Sequence, residues 1–135
     1  MATILVVDDN PAVARMMARL LESKGYHALL APDGPAALDA VRNSSPPVDL
    51  VLLDMMMPDM DGLEVLRRLQ EEASRQGVAQ PPVIMFSAVD DPKMVSAALD
   101  CGAREYWVKA SFKFQDLPQR LARHLPPPQA QAQEA

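Results

Sequence analysis

The sequence predicts an α/β domain of the doubly wound type, in which five parallel strands alternate with five helices in the pattern (βα)5. The first observation is a series of short apolar runs bounded by turn residues, such as residues 3–7 and 48–53. Runs of this kind are typical of strands buried on both faces of a sheet. The second observation is that segments with apolar residues at helical spacing separate the runs. Strands that alternate with helices favour a parallel sheet covered on both faces.

Five runs qualify as strands. They span residues 3–7, 26–30, 48–53, 83–86 and 105–108. The second run mixes polar and apolar residues and is expected at an edge of the sheet. We expect the flavodoxin-like strand order 2-1-3-4-5, which places the first and third strands side by side.

The helices between these strands are predicted from their caps. Asn10 stands before Pro11 as an N-cap, and Asp61 precedes a helix with Glu64 three residues later, as in a capping box. The predicted helices begin at residues 11, 34, 62, 92 and about 116, and they end near residues 24, 42, 77, 102 and 124. All five glycines fall at element boundaries, which supports this division of the chain.

Length and composition indicate one globular domain. The 135 residues are predicted to form a domain over residues 1–125 and a disordered tail rich in Pro, Gln and Ala over residues 126–135. A net charge of −5 argues against direct binding of nucleic acid. Cys101 is the single cysteine, so no disulfide can form within the chain. Because no apolar run is long enough to span a membrane and no signal sequence is evident, we expect no membrane insertion and a cytoplasmic location.

Polar side chains stand at the ends of four of the predicted strands. Asp8 and Asp9 follow the first strand, Asp54 the third, Ser87 the fourth and Lys109 the fifth. In a parallel sheet the carboxyl ends of all strands lie along one edge, where ligands of open α/β sheets bind. These five side chains are therefore predicted to share a site.

The charges at this edge indicate the chemistry. Two carboxylates about 4 Å apart repel each other by roughly 4 kcal/mol at an effective dielectric constant of 20. Such crowding is favourable when a hard cation lies among the oxygens, and Mg²⁺ prefers a few carboxylates together with waters and phosphate. Lys109 and Ser87 suit phosphate oxygens, which leaves Asp54 as a nucleophile able to form an aspartyl phosphate.

These residues carry a family resemblance. From about Thr3 to Leu125 the chain resembles the CheY-like receiver domains of two-component response regulators, including the single-domain ones. The markers are Asp8-Asp9, the segment 54–62 (Asp-Met-Met-Met-Pro-Asp-Met-Asp-Gly), Ser87-Ala88, Gly102-Ala103 and Tyr106-Trp107-Val108-Lys109. Their combined occurrence, in this order, is highly specific.

The resemblance implies a phosphoacceptor and a magnesium site. Asp54 would accept a phosphoryl group from the phosphohistidine of a sensor histidine kinase or a histidine phosphotransfer protein. Asp9, Asp54 and the backbone carbonyl of Met56 would hold Mg²⁺, and Asp8 would support it through a water molecule. The chain would catalyse nothing beyond its own phosphorylation and dephosphorylation.

The resemblance also implies a switch. Lys109 would pair with the phosphate, Ser87 would move to bond it, and Tyr106 would turn inward when Ser87 moves. The surface that changes would be the fourth helix, the fifth strand and the fifth helix. We expect a single-domain response regulator whose output is contact with another protein.

One residue departs from the family pattern. Receiver domains usually carry proline after the conserved lysine, joined by a cis bond, whereas this chain has Ala110 after Lys109. A cis bond before a residue other than proline costs about 2.5–4 kcal/mol. The bond is therefore either trans with a rearranged loop, or cis with strain retained.

Two other functions remain open from the sequence. A degenerate receiver could act as a binding scaffold without phosphorylation, which Ala110 motivates. A phosphohydrolase of the haloacid-dehalogenase type also uses an aspartyl phosphate, but it requires a second Asp two residues after the nucleophile, where this chain has Met56. Other polar residues are assigned ordinary roles: Asp59 and Asp61 in loop solvation and capping, and His27 and His124 at the surface.

Overall fold

A single sheet of five parallel strands lies at the centre of the computed structural model, which describes residues 1–125. The strands are β1 (Thr3–Val7), β2 (His27–Ala31), β3 (Leu50–Leu53), β4 (Val83–Ser87) and β5 (Glu105–Val108). Their order is β2-β1-β3-β4-β5, and every neighbouring pair is parallel. The predicted fold class and strand order are confirmed.

Helices connect the strands. In the described part of the chain they are α1 (Pro11–Ser23), α2 (Gly34–Asn43), α3 (Gly62–Gln76), α4 (Pro92–Asp100) and α5 (Leu117–Ala122), with a 3₁₀ turn over Phe114–Asp116. The side chain of Asn10 caps α1 and that of Asp61 caps α3, as the sequence predicted, and the side chain of Asp91 caps α4. Each cap accepts backbone N–H groups that the first helical turn leaves unpaired.

Alternation along the strands builds two core layers. Leu5 and Val7 of β1 pack into a layer with α2 and α3, whereas Ile4 and Val6 pack into a layer with α1 and α5. The same alternation places Tyr106 on the first layer and Trp107, which is 2% exposed, in the second. Because both faces of the central strands β1, β3 and β4 are covered, the interiors of these strands are apolar and their polar residues stand at the ends.

Several details differ from the predicted elements. Strand β3 begins at Leu50, two residues later than predicted, and α4 ends at Asp100 rather than near residue 102. Strand β2 begins and ends one residue later than residues 26–30, because the Tyr26 N–H instead bonds the Leu21 carbonyl beyond the end of α1. Helix α5 is shorter than residues 116–124, since a 3₁₀ turn precedes it and it ends at Ala122. His124 is not a surface residue: its side chain is 10% exposed and contacts Glu105.

The predicted tail, residues 126–135, lies outside the described residues. Among the described helices, none combines the length and apolar character needed to cross a membrane.

Candidate functional site

The strand register places the predicted site residues side by side. Val7 of β1 is paired with Leu53 of β3, so the residues that follow them, Asp8 and Asp54, leave the sheet at the same level. The Asp54 N–H donates to the Val7 carbonyl at 3.0 Å. On the other side, the Lys109 N–H donates to the Ser87 carbonyl at 2.8 Å, which continues the pairing of β4 and β5. The edge of the sheet is therefore a fixed frame for these side chains.

Three carboxylates converge at this edge. Asp8, Asp9 and Asp54 each offer an oxygen, and these oxygens lie within 4.8 Å of one another. Asp8 is 4% and Asp54 6% exposed, whereas Asp9 is open to solvent. The Asn10 N–H donates to Asp8 Oδ1 at 2.9 Å and fixes that carboxylate. The donors are all oxygen and the cluster is strongly acidic, which fits a hard divalent cation such as Mg²⁺.

Lys109 supplies the positive charge. Its Nζ lies 2.7 Å from Asp8 Oδ2 and 3.5 Å from Asp54 Oδ2, so it bridges the two buried carboxylates and lies closer to Asp8. Burial lowers the pKa of Lys109, but the hydrogen bond to Asp8 and the charges of Asp54 and Asp8 outweigh this effect, and the pKa is raised. The ammonium is therefore held in its charged form beside the site.

The electrostatics of Asp54 are dominated by burial, which raises the pKa of its carboxyl group above the ordinary value. Lys109 opposes this rise, the charge of Asp8 adds to it, and the Met56 N–H and the Ser87 hydroxyl lower the pKa by smaller amounts. The Met56 N–H donates to Asp54 Oδ1 at 3.3 Å. Any further positive charge that enters the cluster would stabilise the ionised form of this carboxylate.

The loop after β3 follows Asp54 and packs against the start of α3. The side chain of Met55 is fully buried, while that of Met56 is 56% exposed. The Gly62 N–H donates to the Met55 carbonyl at 2.8 Å, which brings the start of α3 against the loop. Asp59 has a φ of 71°, a conformation favoured in loops for Asp and Asn. Asp59 is thus a loop residue and Asp61 a helix cap, in agreement with their predicted roles.

Ser87 and Tyr106 are linked through one backbone residue. Ser87 is fully buried, and its hydroxyl accepts the Val89 N–H at 3.2 Å. The Tyr106 hydroxyl donates to the Val89 carbonyl at 2.7 Å. Burial raises the pKa of Tyr106, and the charges of Asp54 and Asp90 contribute to the rise. Ser87 and Tyr106 therefore contact the same residue, one at the Val89 N–H and the other at the Val89 carbonyl.

The Lys109–Ala110 bond resolves one question that the sequence left open. Within residues 1–125 the cis peptide bond is Ser45–Pro46, so the bond after Lys109 is trans. The Ser111 N–H donates to the Val108 carbonyl at 3.1 Å, which closes a turn directly after β5. Lys109 nevertheless reaches both buried carboxylates, so the absence of proline does not remove it from the site.

Sequence reasoning missed the aromatic residues behind Lys109. The Lys109 Nζ lies 5.6 Å from the centroid of the Phe86 ring. Phe86 in turn packs against Phe112 and Phe114. The two phenylalanines after the lysine, Phe112 and Phe114, are visible in the sequence, but the sequence does not show that they pack against Phe86.

The sheet order and the acidic edge together define a flavodoxin-like α/β domain with a carboxylate cluster that could hold a metal ion. The family model described as "Response regulator receiver domain" matches residues 4–122, and the chain belongs to this family. Receiver domains are typically signalling modules of two-component systems rather than metabolic enzymes; they bind Mg²⁺ at an acidic phosphorylation site and interact with histidine kinases and phosphotransfer proteins. The predicted family is confirmed.

Relatives and solved structures agree with this assignment. The chain is 40% identical over 122 residues to the DNA-binding response regulator MtrA of Mycolicibacterium smegmatis, a match that covers 90% of this chain and 50% of the relative. It is 41% identical over 118 residues to the response regulator MprA of a Mycobacterium species, covering 87% and 48%. The chain thus spans about half the length of these curated relatives.

Among solved structures, a response regulator receiver domain from Clostridium thermocellum superposes with a TM-score of 0.80 at 27% identity, covering 92% of this chain and 94% of that one. The response regulator TrrA of Thermotoga maritima, in complex with Mg²⁺ and a beryllium fluoride, gives a TM-score of 0.76 at 31% identity, covering 93% and 100%.

Proposed function

We propose that this receiver domain accepts a phosphoryl group on Asp54 from the phosphohistidine of a sensor histidine kinase or a histidine phosphotransfer protein. The observation that carries the proposal is the convergence of two further carboxylates, those of Asp8 and Asp9, and the Lys109 ammonium on Asp54. Asp54 is nearly buried and loop-fixed, and its carboxylate has a positive group beside it. A phosphoryl acceptor needs such positioning and charge neutralisation more than it needs further catalytic groups.

The transfer is an in-line displacement at phosphorus. An Asp54 carboxylate oxygen forms the new P–O bond, the P–N bond to the donor histidine breaks, and its electron pair returns to the imidazole. Lys109 neutralises charge on the phosphoryl oxygens, and it can do so by leaving Asp8, which it contacts at 2.7 Å. A separate step, hydrolysis of the acyl phosphate, would reset the domain: water attacks phosphorus, the P–O bond to Asp54 breaks, and inorganic phosphate and the free carboxylate result.

Mg²⁺ is the cofactor that fits the cluster. Asp9, Asp54 and the backbone carbonyl of Met56 would hold the ion, and Asp8 would support it through a water molecule. When bound, the ion offsets the charge that accumulates on the transferring phosphoryl group.

Phosphorylation would act as a switch. A phosphoryl group adds about −1.5 to −2 charges at a site where Ser87 is fully buried and bonded to Val89. Ser87 would move toward the phosphate, and Tyr106, bonded to the same residue, would follow. The equilibrium between two packings of the α4–β5–α5 surface would then shift, and a downstream protein would recognise that surface.

The test is labelling with acetyl phosphate, a small phosphoryl donor, followed by intact-protein mass measurement. With Mg²⁺ the wild type should gain one phosphoryl group, and Asp54→Asn should gain none. Asp59→Asn, which changes an exposed aspartate of the same loop, should be labelled like the wild type. Equal labelling of Asp54→Asn and the wild type would refute the assignment.

The same samples separate the two rival functions. A phosphohydrolase would turn over p-nitrophenyl phosphate continuously, and the position where it needs a second acid is the exposed Met56. A scaffold would show no change in Trp107 fluorescence with Mg²⁺ and beryllofluoride. We expect negligible turnover and a fluorescence change.

A further inference from the structure

We propose that Phe112 is a positioning residue for Lys109. It fixes the turn that follows β5 and backs the Phe86 ring, against which the Lys109 ammonium lies. This inference rests on the proposed phosphoacceptor function for its consequence, although the positioning itself can be tested without it.

The turn after β5 brings Phe112 back into contact with Trp107 of the same strand. The Lys109–Ala110 bond is trans, and the Ser111 N–H bonds the Val108 carbonyl at 3.1 Å. This turn returns Phe112 to the face of Trp107, where the two rings stack with centroids 4.7 Å apart and planes 20° apart. Offset stacking of this kind is a favourable aromatic arrangement. Both ends of the turn are therefore anchored, one by the sheet and the other by the stack.

Phe112 is held on several sides. The Arg120 guanidinium of α5 lies 5.4 Å from its ring centroid, and Trp107 covers a face of the ring. Phe114 meets Phe112 edge to face at 5.3 Å. Phe112 is 9% exposed and therefore behaves as a core residue, although it belongs to a loop. Its position is determined by packing rather than by the loop backbone alone.

Phe112 also packs against Phe86 and restricts the position of its ring. The two rings meet edge to face, with centroids 5.6 Å apart and planes at 75°. Phe86 stands in β4 directly before Ser87, and its ring is 4% exposed. Without Phe112 one side of the Phe86 ring would lose its neighbour, because cores rarely refill a space of that size.

Phe86 flanks the ammonium of Lys109. The Nζ lies over the Phe86 ring, 5.6 Å from its centroid, and 2.7 Å from Asp8 Oδ2. The ring face attracts a cation and excludes water, which strengthens the contacts between the ammonium and the carboxylates. The ring limits the directions that the lysine can take and aims it at the acidic cluster.

The plain alternative is that Phe112 contributes only to stability. The two explanations differ in one respect. If Phe112 positions Lys109, replacing Phe112 should have its effect only when the lysine is present. If Phe112 contributes only to stability, the effect should be the same with and without the lysine. Leu21→Ala is the matched control, since Leu21 is fully buried in the same core layer but lies on α1. Phe112→Leu keeps most of the apolar volume but removes the stack on Trp107, and it replaces Phe112→Ala in the experiments if that variant does not fold.

The first measurement is structural and needs no phosphate. In a ¹³C-edited NMR spectrum the ε-methylene protons of Lys109, assigned with Lys109→Arg, should be displaced from those of exposed lysines by the Phe86 ring current. Phe112→Ala should return them toward the exposed position, and Leu21→Ala should not. Unchanged Lys109 resonances in Phe112→Ala and Phe112→Leu would overturn the inference.

The second measurement is a double-mutant cycle on beryllofluoride affinity at saturating Mg²⁺, by calorimetry. Phe112→Ala should weaken binding about tenfold in the wild type and much less in Lys109→Ala, because neighbouring groups that act together are not additive. An equal loss in both backgrounds would show a purely structural role. If the wild type binds no beryllofluoride, the proposed function fails, while the NMR comparison still decides the role of Phe112.

Discussion

Gly62 packs directly against the backbone of Asp54. A Cβ atom at Gly62 would lie 2.5 Å from the Asp54 carbonyl oxygen and 2.9 Å from the Cα of Met55. Real Cβ atoms do not approach backbone this closely, so any side chain here must displace the strand end or the start of α3. Glycine is needed at this position for its small size, since its φ is not in the left-handed region.

Gly62→Ala is therefore expected to cost about 1–3 kcal/mol of unfolding free energy and to slow phosphorylation of Asp54. Gly77→Ala is the control: Gly77 has a φ of 68° and open space around it, so alanine costs about 1–2 kcal/mol there through backbone conformation alone. Urea denaturation and labelling with acetyl phosphate give the two readouts. Normal labelling in Gly62→Ala would show that the close approach does not position Asp54.

Asp54→Asn is expected to stabilise the metal-free protein at neutral pH. The cluster holds three carboxylates against the single ammonium of Lys109, and burial raises the pKa of Asp54 because its charge is poorly solvated. Removing that charge relieves repulsion, and we expect a gain of about 1 kcal/mol or more. Asp59→Asn, at an exposed loop position, should change little. Chemical denaturation in EDTA measures the difference, and a less stable Asp54→Asn would contradict the repulsion argument.

Mg²⁺ is expected to stabilise the wild type and to have little effect on Asp54→Asn. Binding to the folded state alone adds about 2.7 kcal/mol when the free ion is at 100 times its dissociation constant. Thermal unfolding with Mg²⁺ and with EDTA measures this effect. An equal shift in both proteins would place the ion elsewhere.

Lys109→Ala is expected to destabilise the metal-free protein by about 2 kcal/mol, because it leaves the buried carboxylates of Asp8 and Asp54 without their cation. Mg²⁺ should recover most of this loss. Lys113→Ala removes an exposed lysine four residues later and should be near neutral. The comparison is made by denaturation with and without Mg²⁺; a loss that Mg²⁺ does not reduce would mean that Lys109 acts by packing and not by charge.

Glu105 should make stability depend on acid pH. Burial raises the pKa of Glu105, but hydrogen bonds from the Trp107 indole and His124 and the nearby charges outweigh it, so the pKa is lowered. A carboxylate whose pKa is lowered by folding contributes stability above its unfolded-state pKa of about 4.3, and that stability is lost as the pH falls through the folded-state value.

Glu105→Gln should therefore cost about 1 kcal/mol at neutral pH, and the difference from the wild type should shrink below about pH 4.3. Glu71→Gln, at an exposed position of α3, is the control. Urea denaturation across pH measures both. A difference that stays constant down to the acid limit would exclude the Glu105 network as its source.

The sequence was sufficient where local chemistry decides structure. Apolar runs ending in Asp8, Asp54 and Ser87 predicted the strands, and parallel topology then required their ends to meet, as the register of Val7 with Leu53 shows. Asn10 and the other caps predicted the helix starts because their side chains bond the first turn directly. Both inferences depend on residues close in the chain or on topology alone.

Long-range packing was out of reach of the sequence. The Trp107–Phe112 stack and the position of Phe86 under Lys109 depend on how a turn returns to the sheet. His124 was assigned to the surface because its partner, Glu105, lies 19 residues away in the chain. Two features of Lys109 also depend on the assembled site: the trans bond that follows it, and the fact that its Nζ lies closer to Asp8 than to Asp54.

The most direct test of the account is to locate the phosphoryl group. Borohydride converts an aspartyl phosphate to homoserine, so the protein is treated with acetyl phosphate and Mg²⁺, reduced and mapped by peptide mass spectrometry. The account predicts homoserine at Asp54, dependent on Mg²⁺ and absent from Asp8, Asp9 and Asp59. Modification at one of those other aspartates, or none at Asp54 in a folded and Mg²⁺-saturated protein, would contradict it.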